Sequence, residues 1–318
     1  MSHFCHAYTF DPTYGYTLDR LLRVGAPDIP DDFAAFWDAR YRRTLTVSPQ
    51  PRLGRWPEGR EGFSVYDLEY RSTDDFIIGG WLLLPHDRPV RRGMVVGHGY
   101  GGRDAPDFDL PVADTAYLFP CFRGLSRSRR PPISEEPYWH VLHDIDKRDR
   151  YILGGCVEDL WLAVSALLEL YPETVGHIGY MGISFGGGIG ALALPWDARI
   201  RRAHLNMPTF GHHPLRLELP TVGSGRAIRD YQQKHGNVLD TLRYYDAASA
   251  AAYTGIPVQV AAALFDPVVA PPGQFAVHNA LAGPKSLYVL EAGHVNYPAR
   301  ARQDAELRDI LADFFEAL

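Results

Sequence analysis

Residues 178–194 read Ile-Gly-Tyr-Met-Gly-Ile-Ser-Phe-Gly-Gly-Gly-Ile-Gly-Ala-Leu-Ala-Leu. Ile178 to Ile183 is a short apolar run of strand character, and Gly188 to Leu194 is small and apolar, as a closely packed helix requires. Between them Gly182-Ile183-Ser184-Phe185-Gly186-Gly187 forms a G-x-S-x-G turn. Strand, sharp turn and helix in that order suit an exposed nucleophile. The serine occupies a strained turn, while Gly182 and Gly186 leave room for strand and helix to approach. A merely structural Gly-rich turn is the competing reading, and the order of partners elsewhere in the chain weighs against it.

Working outward, apolar runs alternate with helical patterns, which favours an α/β fold with a sheet flanked by helices. The strand candidates are Ser64 to Tyr70, Phe76 to Leu84, Gly93 to Val96, Ala116 to Phe122, Ile178 to Ile183, Ala203 to Asn206, Pro257 to Leu264 and Ser286 to Leu290. Eight strands are expected. The first two are close enough for a hairpin, and the later ones are spaced for crossover helices and parallel pairing. Val157 to Leu170 reads as a helix with Leu160, Trp161, Val164, Leu167 and Leu168 on one face, Glu158, Asp159 and Glu169 off it, and Pro172 beyond its end. A second amphipathic helix carries Leu307, Ile310, Leu311, Phe314, Phe315 and Leu318. Upstream, Asp31-Asp32 caps a helix whose Phe33, Phe36, Trp37 and Tyr41 lie on the body. The expected organisation is one domain over 1–318, with 1–60 as an N-terminal extension and 207–254 as a cap-like insertion.

A serine hydroxyl is a poor nucleophile at neutral pH and needs a base, which in turn needs an orienting carboxylate. Asp266 follows the buried run Pro257 to Leu264, at the carboxyl end of a strand. His294 follows the next run, Ser286 to Leu290, in the loop Glu291-Ala292-Gly293-His294. In a parallel sheet these carboxyl ends share one edge, so Ser184, Asp266 and His294 can meet there. Read singly, Asp266 is also a plain Asp-Pro turn residue and His294 a plain loop residue. His98, His204, His212, His213 and His278 do not follow the acid at the next strand-to-loop junction, and Glu291 is too near His294 in sequence to be its orienter. After Met94-Val95-Val96-Gly97 comes His98-Gly99-Tyr100-Gly101-Gly102, positioned as the oxyanion loop of an α/β-hydrolase, which makes the N–H groups of Tyr100 and Phe185 the expected oxyanion donors. A tight Gly-rich turn is the bland alternative there.

Composition narrows the remaining classes. The 318 residues carry 32 Lys and Arg against 38 Asp and Glu, a net charge of -6, so no strongly basic face for nucleic acid is implied. No run reaches the ~20 apolar residues of a membrane span. The phosphate-binding pattern G-x-x-x-x-G-K-[ST] is absent, and a nucleotide site is disfavoured. Met1 to Phe10 lacks a positively charged segment followed by a long apolar run, and the expected setting is cytoplasmic. Cys5, Cys121 and Cys156 are odd in number and lack metal-site spacing, so neither a disulfide framework nor a zinc site is suggested, and no metal or other cofactor is expected. Cys156 is expected to be a buried packing residue. Arg127 to Pro137 reads as an exposed loop, and Arg216, Arg226 and Arg229 as solvated charges.

Taken in order, these motifs resemble the acetyl xylan esterase and cephalosporin C deacetylase family, carbohydrate esterase family seven. Ile29-Pro30-Asp31-Asp32-Phe33-Ala34-Ala35-Phe36-Trp37 resembles its Pro-x-x-Phe-x-x-Phe-Trp pattern, and His98-Gly99-Tyr100 its His-Gly-Tyr turn. Arg123-Gly124 resembles the start of its Arg-Gly-Gln motif, residues 182–187 its Gly-x-Ser-Gln-Gly-Gly elbow, and Asp266 to Pro272 its acid loop. Thr241-Leu242-Arg243-Tyr244-Tyr245-Asp246 and Leu281-Ala282-Gly283-Pro284-Lys285 look like the segments before the acid strand and before the histidine. The resemblance implies a serine carboxylic-ester hydrolase that removes acetyl or short acyl groups from a small sugar or similar alcohol, with Ser184, Asp266 and His294 as triad and a homo-oligomeric assembly. Leu125, Phe185 and Val295 depart from the family's Gln, Gln and Glu, and Phe185 is expected to make the acyl-side wall more apolar. Pro106 and Pro111 interrupt the region of the fold's first helix, as in a divergent member. Arg123 is expected to brace loops beneath the site. Longer-chain or aryl esterase, thioesterase and amidase activities share the same triad chemistry, and a non-catalytic binding protein on this fold is the alternative of another class.

Overall fold

The computed structural model describes residues 6–55 and 62–318, so residues 1–5, Cys5 among them, and 56–60 of the expected extension lie outside the described residues. The strands are β1 (Arg52–Arg55), β2 (Phe63–Arg71), β3 (Ile77–Pro85), β4 (Arg92–Gly97), β5 (Thr115–Pro120), β6 (Ile178–Ile183), β7 (Ile200–Asn206), β8 (Val258–Ala263) and β9 (Lys285–Leu290). They form one sheet in the order β1-β2-β3-β5-β4-β6-β7-β8-β9. Antiparallel pairing joins β1 to β2, β2 to β3 and β3 to β5; every other pair is parallel. This is the α/β-hydrolase arrangement of a mostly parallel sheet flanked by helices.

The expected eight strands are all present, and β1 is a ninth. Arg52-Leu53-Gly54-Arg55 offers a single large apolar residue and no alternation, and Leu53 is exposed. Its strand state comes from pairing with the free edge of β2, Leu53 opposite Leu68, an interaction that hydropathy patterning does not register. By contrast β8, Val-Gln-Val-Ala-Ala-Ala, is buried along its whole length, as a strand covered on both faces must be.

The sheet separates two apolar layers. On one face lies the helix Ile152–Leu170 with the helix Phe185–Ala193 and the helix Phe33–Thr44; on the other lies the C-terminal helix Arg300–Glu316, through Leu307, Leu311 and Phe315 against Met94, Phe119 and Ala263. The helix Ile152–Leu170 is not amphipathic in its packing. Glu158 and Asp159, expected off the apolar face, are fully buried because Arg40, Arg43 and Arg123 from other elements meet them there. Phe33 and Trp37 are also fully buried, and the Trp37 indole N–H donates to the Tyr244 carbonyl at 2.8 Å. Asp32 stands at the N-cap of their helix but makes no side-chain cap bond; its carboxylate instead accepts from the Tyr244 hydroxyl at 2.6 Å. Tertiary contact has outcompeted the local cap.

Residues 103–114 form no helix, in keeping with Pro106 and Pro111. The stretch Arg127 to Pro137 is largely exposed, as its composition implies, and is anchored to the body near its start. Ser128 is buried and its hydroxyl donates to the Cys121 carbonyl at 2.6 Å, and the Arg127 guanidinium lies over the Trp81 ring. Cys156 is buried as a packing residue. No described helix is long and apolar enough to cross a membrane, and no cluster of metal-ligating side chains occurs among the described residues.

Candidate active site

Ser184 sits between β6 and the helix Phe185–Ala193 at φ 54° and ψ -108°, a conformation that costs an L-residue of order 1–3 kcal/mol. The two glycines of the turn make it possible. A Cβ on Gly182 would stand 2.5 Å from the Gly186 carbonyl oxygen, and one on Gly186 would stand 2.7 Å from the Gly97 carbonyl carbon. Backbone bonds hold the turn from both sides: Ser184 N–H donates to the Asn206 carbonyl at 2.7 Å, and Gly186 N–H to the His98 carbonyl at 2.9 Å. Strand ends β4, β6 and β7 are thereby tied to one point.

The structure brings the three residues singled out in the sequence into one chain of hydrogen bonds. Ser184 Oγ lies 2.9 Å from His294 Nε2, and His294 Nδ1 lies 2.7 Å from Asp266 Oδ2. Asp266 is fully buried. Its Oδ1 accepts from Val268 and Val269 N–H at 2.8 and 3.0 Å, and its Oδ2 accepts from the Gln274 amide at 2.9 Å. A carboxylate so supplied with donors leaves Nδ1 of His294 as the protonated nitrogen and Nε2 free to accept from Ser184. Burial alone would lower the His294 pKa, but the charge and hydrogen bond of Asp266 outweigh it and leave it above its ordinary 6.5. Burial holds His98, His140 and His204 down near 4, so these rings stay neutral at neutral pH. Glu291 instead faces Arg302 at 3.5 Å.

The loop after β4 is fastened by its own side chains. His98 Nε2 accepts from Phe122 N–H at 3.0 Å, which puts the proton on Nδ1, where it donates to the Gly99 carbonyl at 2.7 Å. The Tyr100 hydroxyl reaches His140 Nδ1 at 3.1 Å, and His140 Nε2 lies 3.0 Å from the Arg123 carbonyl, which fixes Tyr100 as donor to Nδ1. His140 was not singled out from the sequence. It lies in Pro137-Tyr138-Trp139-His140, where no periodic pattern distinguishes it. Phe185 N–H stands at the first turn of its helix, where no intrahelical acceptor exists.

Ser184 and His294 open into a cavity of about 310 Å³ walled by Tyr100, Pro137, Ile183, Thr209, Val268 and Val269. Phe185 does not belong to that wall. Its ring is fully buried behind Tyr100, with centroids 4.2 Å apart, and packs edge-on against Phe122 and Phe210. The apolar wall comes from Ile183, Val268 and Val269 instead, because the first helical residue after an elbow turns its side chain into the core. Thr209, Gly223 and Ser224, from the segment 207–254, also line the cavity.

Arg123 is buried beneath the site and does not line this cavity. Its Nε and Nη2 engage Asp159 at 2.7–3.1 Å, and Nη2 also donates to Thr73 at 2.8 Å. Arg216, read as solvated, is buried as well; its guanidinium donates to His213 Nδ1 at 3.1 Å and lies over the Phe210 ring. Arg226 meets the expectation better, pairing with Asp230 at an exposed position.

A family model described as acetyl xylan esterase (AXE1) matches residues 17–308. The chain belongs to the acetyl xylan esterase family. As a member it is a carboxylesterase, and its fold is shared with solved structures of low sequence identity. The acetyl xylan esterase from Paenibacillus sp. R4 superimposes with a TM-score of 0.80 at 23% identity, covering 93% of this chain and 99% of that one. Acetyl xylan esterase 1 from Thermoanaerobacterium sp. JW/SL YS485 gives 0.77 at 19% identity, covering 95% and 99%. An acylaminoacyl peptidase from Pyrococcus horikoshii gives 0.61 at 15%, covering 81% of this chain and 42% of its own. At these identities the likeness is one of fold.

Proposed function

We propose that this acetyl xylan esterase family member hydrolyses acetyl or other short acyl esters of a small sugar or similar alcohol through an acyl-enzyme on Ser184. The observation that carries the reading is the unbroken chain from Ser184 Oγ to His294 and on to buried Asp266, opening into a cavity. His294 Nε2 takes the Ser184 proton as Oγ attacks the ester carbonyl, and Asp266 holds the imidazole tautomer and stabilises the cation. Tyr100 and Phe185 N–H receive the developing oxyanion, each worth about 3 kcal/mol to the barrier. His294 then protonates the departing alkoxide, and the same ring activates the water that releases the acid.

Among the described residues no Asp, Glu, Lys or Arg side chain lines the cavity, which suits a neutral ester. On this reading 1–318 is one catalytic domain, 1–60 is packed on its body, and 207–254 covers the site; Thr209 and Ser224 in the wall support the last assignment. Family membership supports a homo-oligomer, and the free thiols of Cys121 and Cys156 suit a cytoplasmic setting.

The test is hydrolysis of p-nitrophenyl esters from acetyl to octanoyl, with acetylated xylose and cephalosporin C as further acetyl esters, run beside Ser184→Ala. Fastest turnover on acetyl esters and a dead variant are expected. Preference for longer chains would remove the deacetylase assignment. Equal inactivity of both proteins, with no labelling of Ser184 by a phosphonate, would remove the esterase mechanism.

A further inference from the structure

The acid of the triad has an unusual neighbour. Gln274, the fourth residue of the helix Pro271–Ala280, is fully buried and uses both ends of its amide. Its Oε1 accepts from Ala263 N–H at 2.9 Å, at the end of β8. Its Nε2 donates to the Val269 carbonyl at 2.7 Å and to Asp266 Oδ2 at 2.9 Å. The amide cannot be turned round, because Ala263 presents a donor and the other two atoms are acceptors. Asp266 Oδ2 is the oxygen that also receives His294 Nδ1. One carboxylate oxygen is therefore shared between the base and the glutamine.

We propose that Gln274 is a positioning residue of the catalytic reaction: its amide fixes the rotation of the Asp266 carboxylate and, by sharing Oδ2, sets how strongly that carboxylate attracts the proton of His294. The proposal rests on the triad assignment above. Among the described residues no Lys or Arg forms an ion pair with Asp266, so its buried charge is held by neutral dipoles and by His294. The other groups facing the pair are Ser184 from the elbow and Tyr14 from the N-terminal segment, whose hydroxyl lies 3.5 Å from the Asp266 carbonyl, with Arg229 and Asp11 beyond Tyr14. In a water-poor site, each dipole donated to a carboxylate lowers its basicity, and removing one concentrates charge on the oxygen that holds the imidazole. Losing the Gln274 donor must then stabilise the imidazolium and raise the pH at which His294 becomes a base.

The experiment compares Gln274→Met with the wild type on p-nitrophenyl acetate, with active sites counted by phosphonate titration. The expected result is a rise of about 0.5–1 pH unit in the acid limb of kcat/KM, and a fall of about tenfold in kcat per titrated site, with KM changed less than twofold. A reduced number of active sites whose survivors keep the wild-type pH profile and kcat would overturn the proposal, leaving Gln274 a support of the loop alone. A second measurement needs no variant. In the wild type, the Gln274 side-chain amide resonances should shift with the same midpoint as the His294 ring on pH titration, and amide resonances that stay still through that titration would also overturn it. If Ser184→Ala retains full activity, it is the triad assignment that fails; if Ser184→Ala is dead while Gln274→Met titrates as wild type, only the role of Gln274 falls.

Discussion

On the proposed mechanism Ser184, His294 and Asp266 divide the chemistry in a way that single substitutions can separate. Ser184→Ala removes the atom that forms the acyl bond, and kcat should fall by roughly 10⁴-fold or more with the Tm retained, measured by steady-state kinetics beside thermal melting. The pH profile follows from the sign of the His294 shift. The ring must be neutral to accept the serine proton, and the charge of Asp266 favours its cation, so activity should be lost as pH falls through a midpoint above 6.5. His98 and His140, held near 4 by burial, contribute nothing to that limb. An NMR titration of the His294 ring that gave a midpoint below 6.5 would contradict this account. That Ser184, His294 and Asp266 meet was legible because the chemistry expected of them restricts their types and places: a nucleophile, a base and an acid must each stand at the end of a strand. His140 and Gln274 were not legible, because a buried side-chain hydrogen bond joins residues far apart in sequence and leaves no periodic trace.

At the scale of elements, the elbow and the long helix beneath it carry different loads. The strand and helix of the elbow meet only because residues 182 and 186 lack a Cβ. Gly182→Ala should therefore displace Ser184, with a drop in kcat of about 100-fold expected from a misplacement near 1 Å, read from kinetics on correctly folded protein. In the helix Ile152–Leu170, Asp159 is fully buried and holds Arg123 through several hydrogen bonds. Asp159→Asn would leave a buried guanidinium short of its counter-charge, and a loss of about 3–5 kcal/mol in stability is expected by urea denaturation. The periodicity of that helix was visible in its leucines, yet the placement of Glu158 and Asp159 was not. A local pattern assigns acidic residues to solvent, and only the arrival of Arg40, Arg43 and Arg123 from other parts of the chain reverses this.

Across the whole molecule, the N-terminal segment is tied directly to the acid loop. Asp266 N–H donates to the Pro12 carbonyl at 3.1 Å, and the Tyr14 hydroxyl donates to the Pro220 carbonyl at 2.8 Å, so residues 11–14 bridge the acid loop and the segment that helps wall the cavity. Deleting residues 1–16 leaves a buried N–H without its partner. The expected cost is about 1–3 kcal/mol, read from denaturant unfolding, with a lowered kcat toward p-nitrophenyl acetate; unchanged stability and kcat would show the bridge to be dispensable. What the sequence by itself determined is the set of features repeated along the chain or restricted by local chemistry: eight strands with their crossover helices, the Gly-flanked elbow, and the order of serine, acid and histidine along one sheet edge. The tertiary structure alone decided the ninth strand, the inward turn of Phe185, the burial of Glu158, Asp159 and Arg216, and the sharing of Asp266 between His294 and Gln274. Each of these depends on which distant group occupies the other side of a contact. A hydropathy period reports how a segment divides solvent from core, whereas an ion pair, an edge pairing or a shared carboxylate oxygen exists only once the fold has brought both partners within about 3 Å.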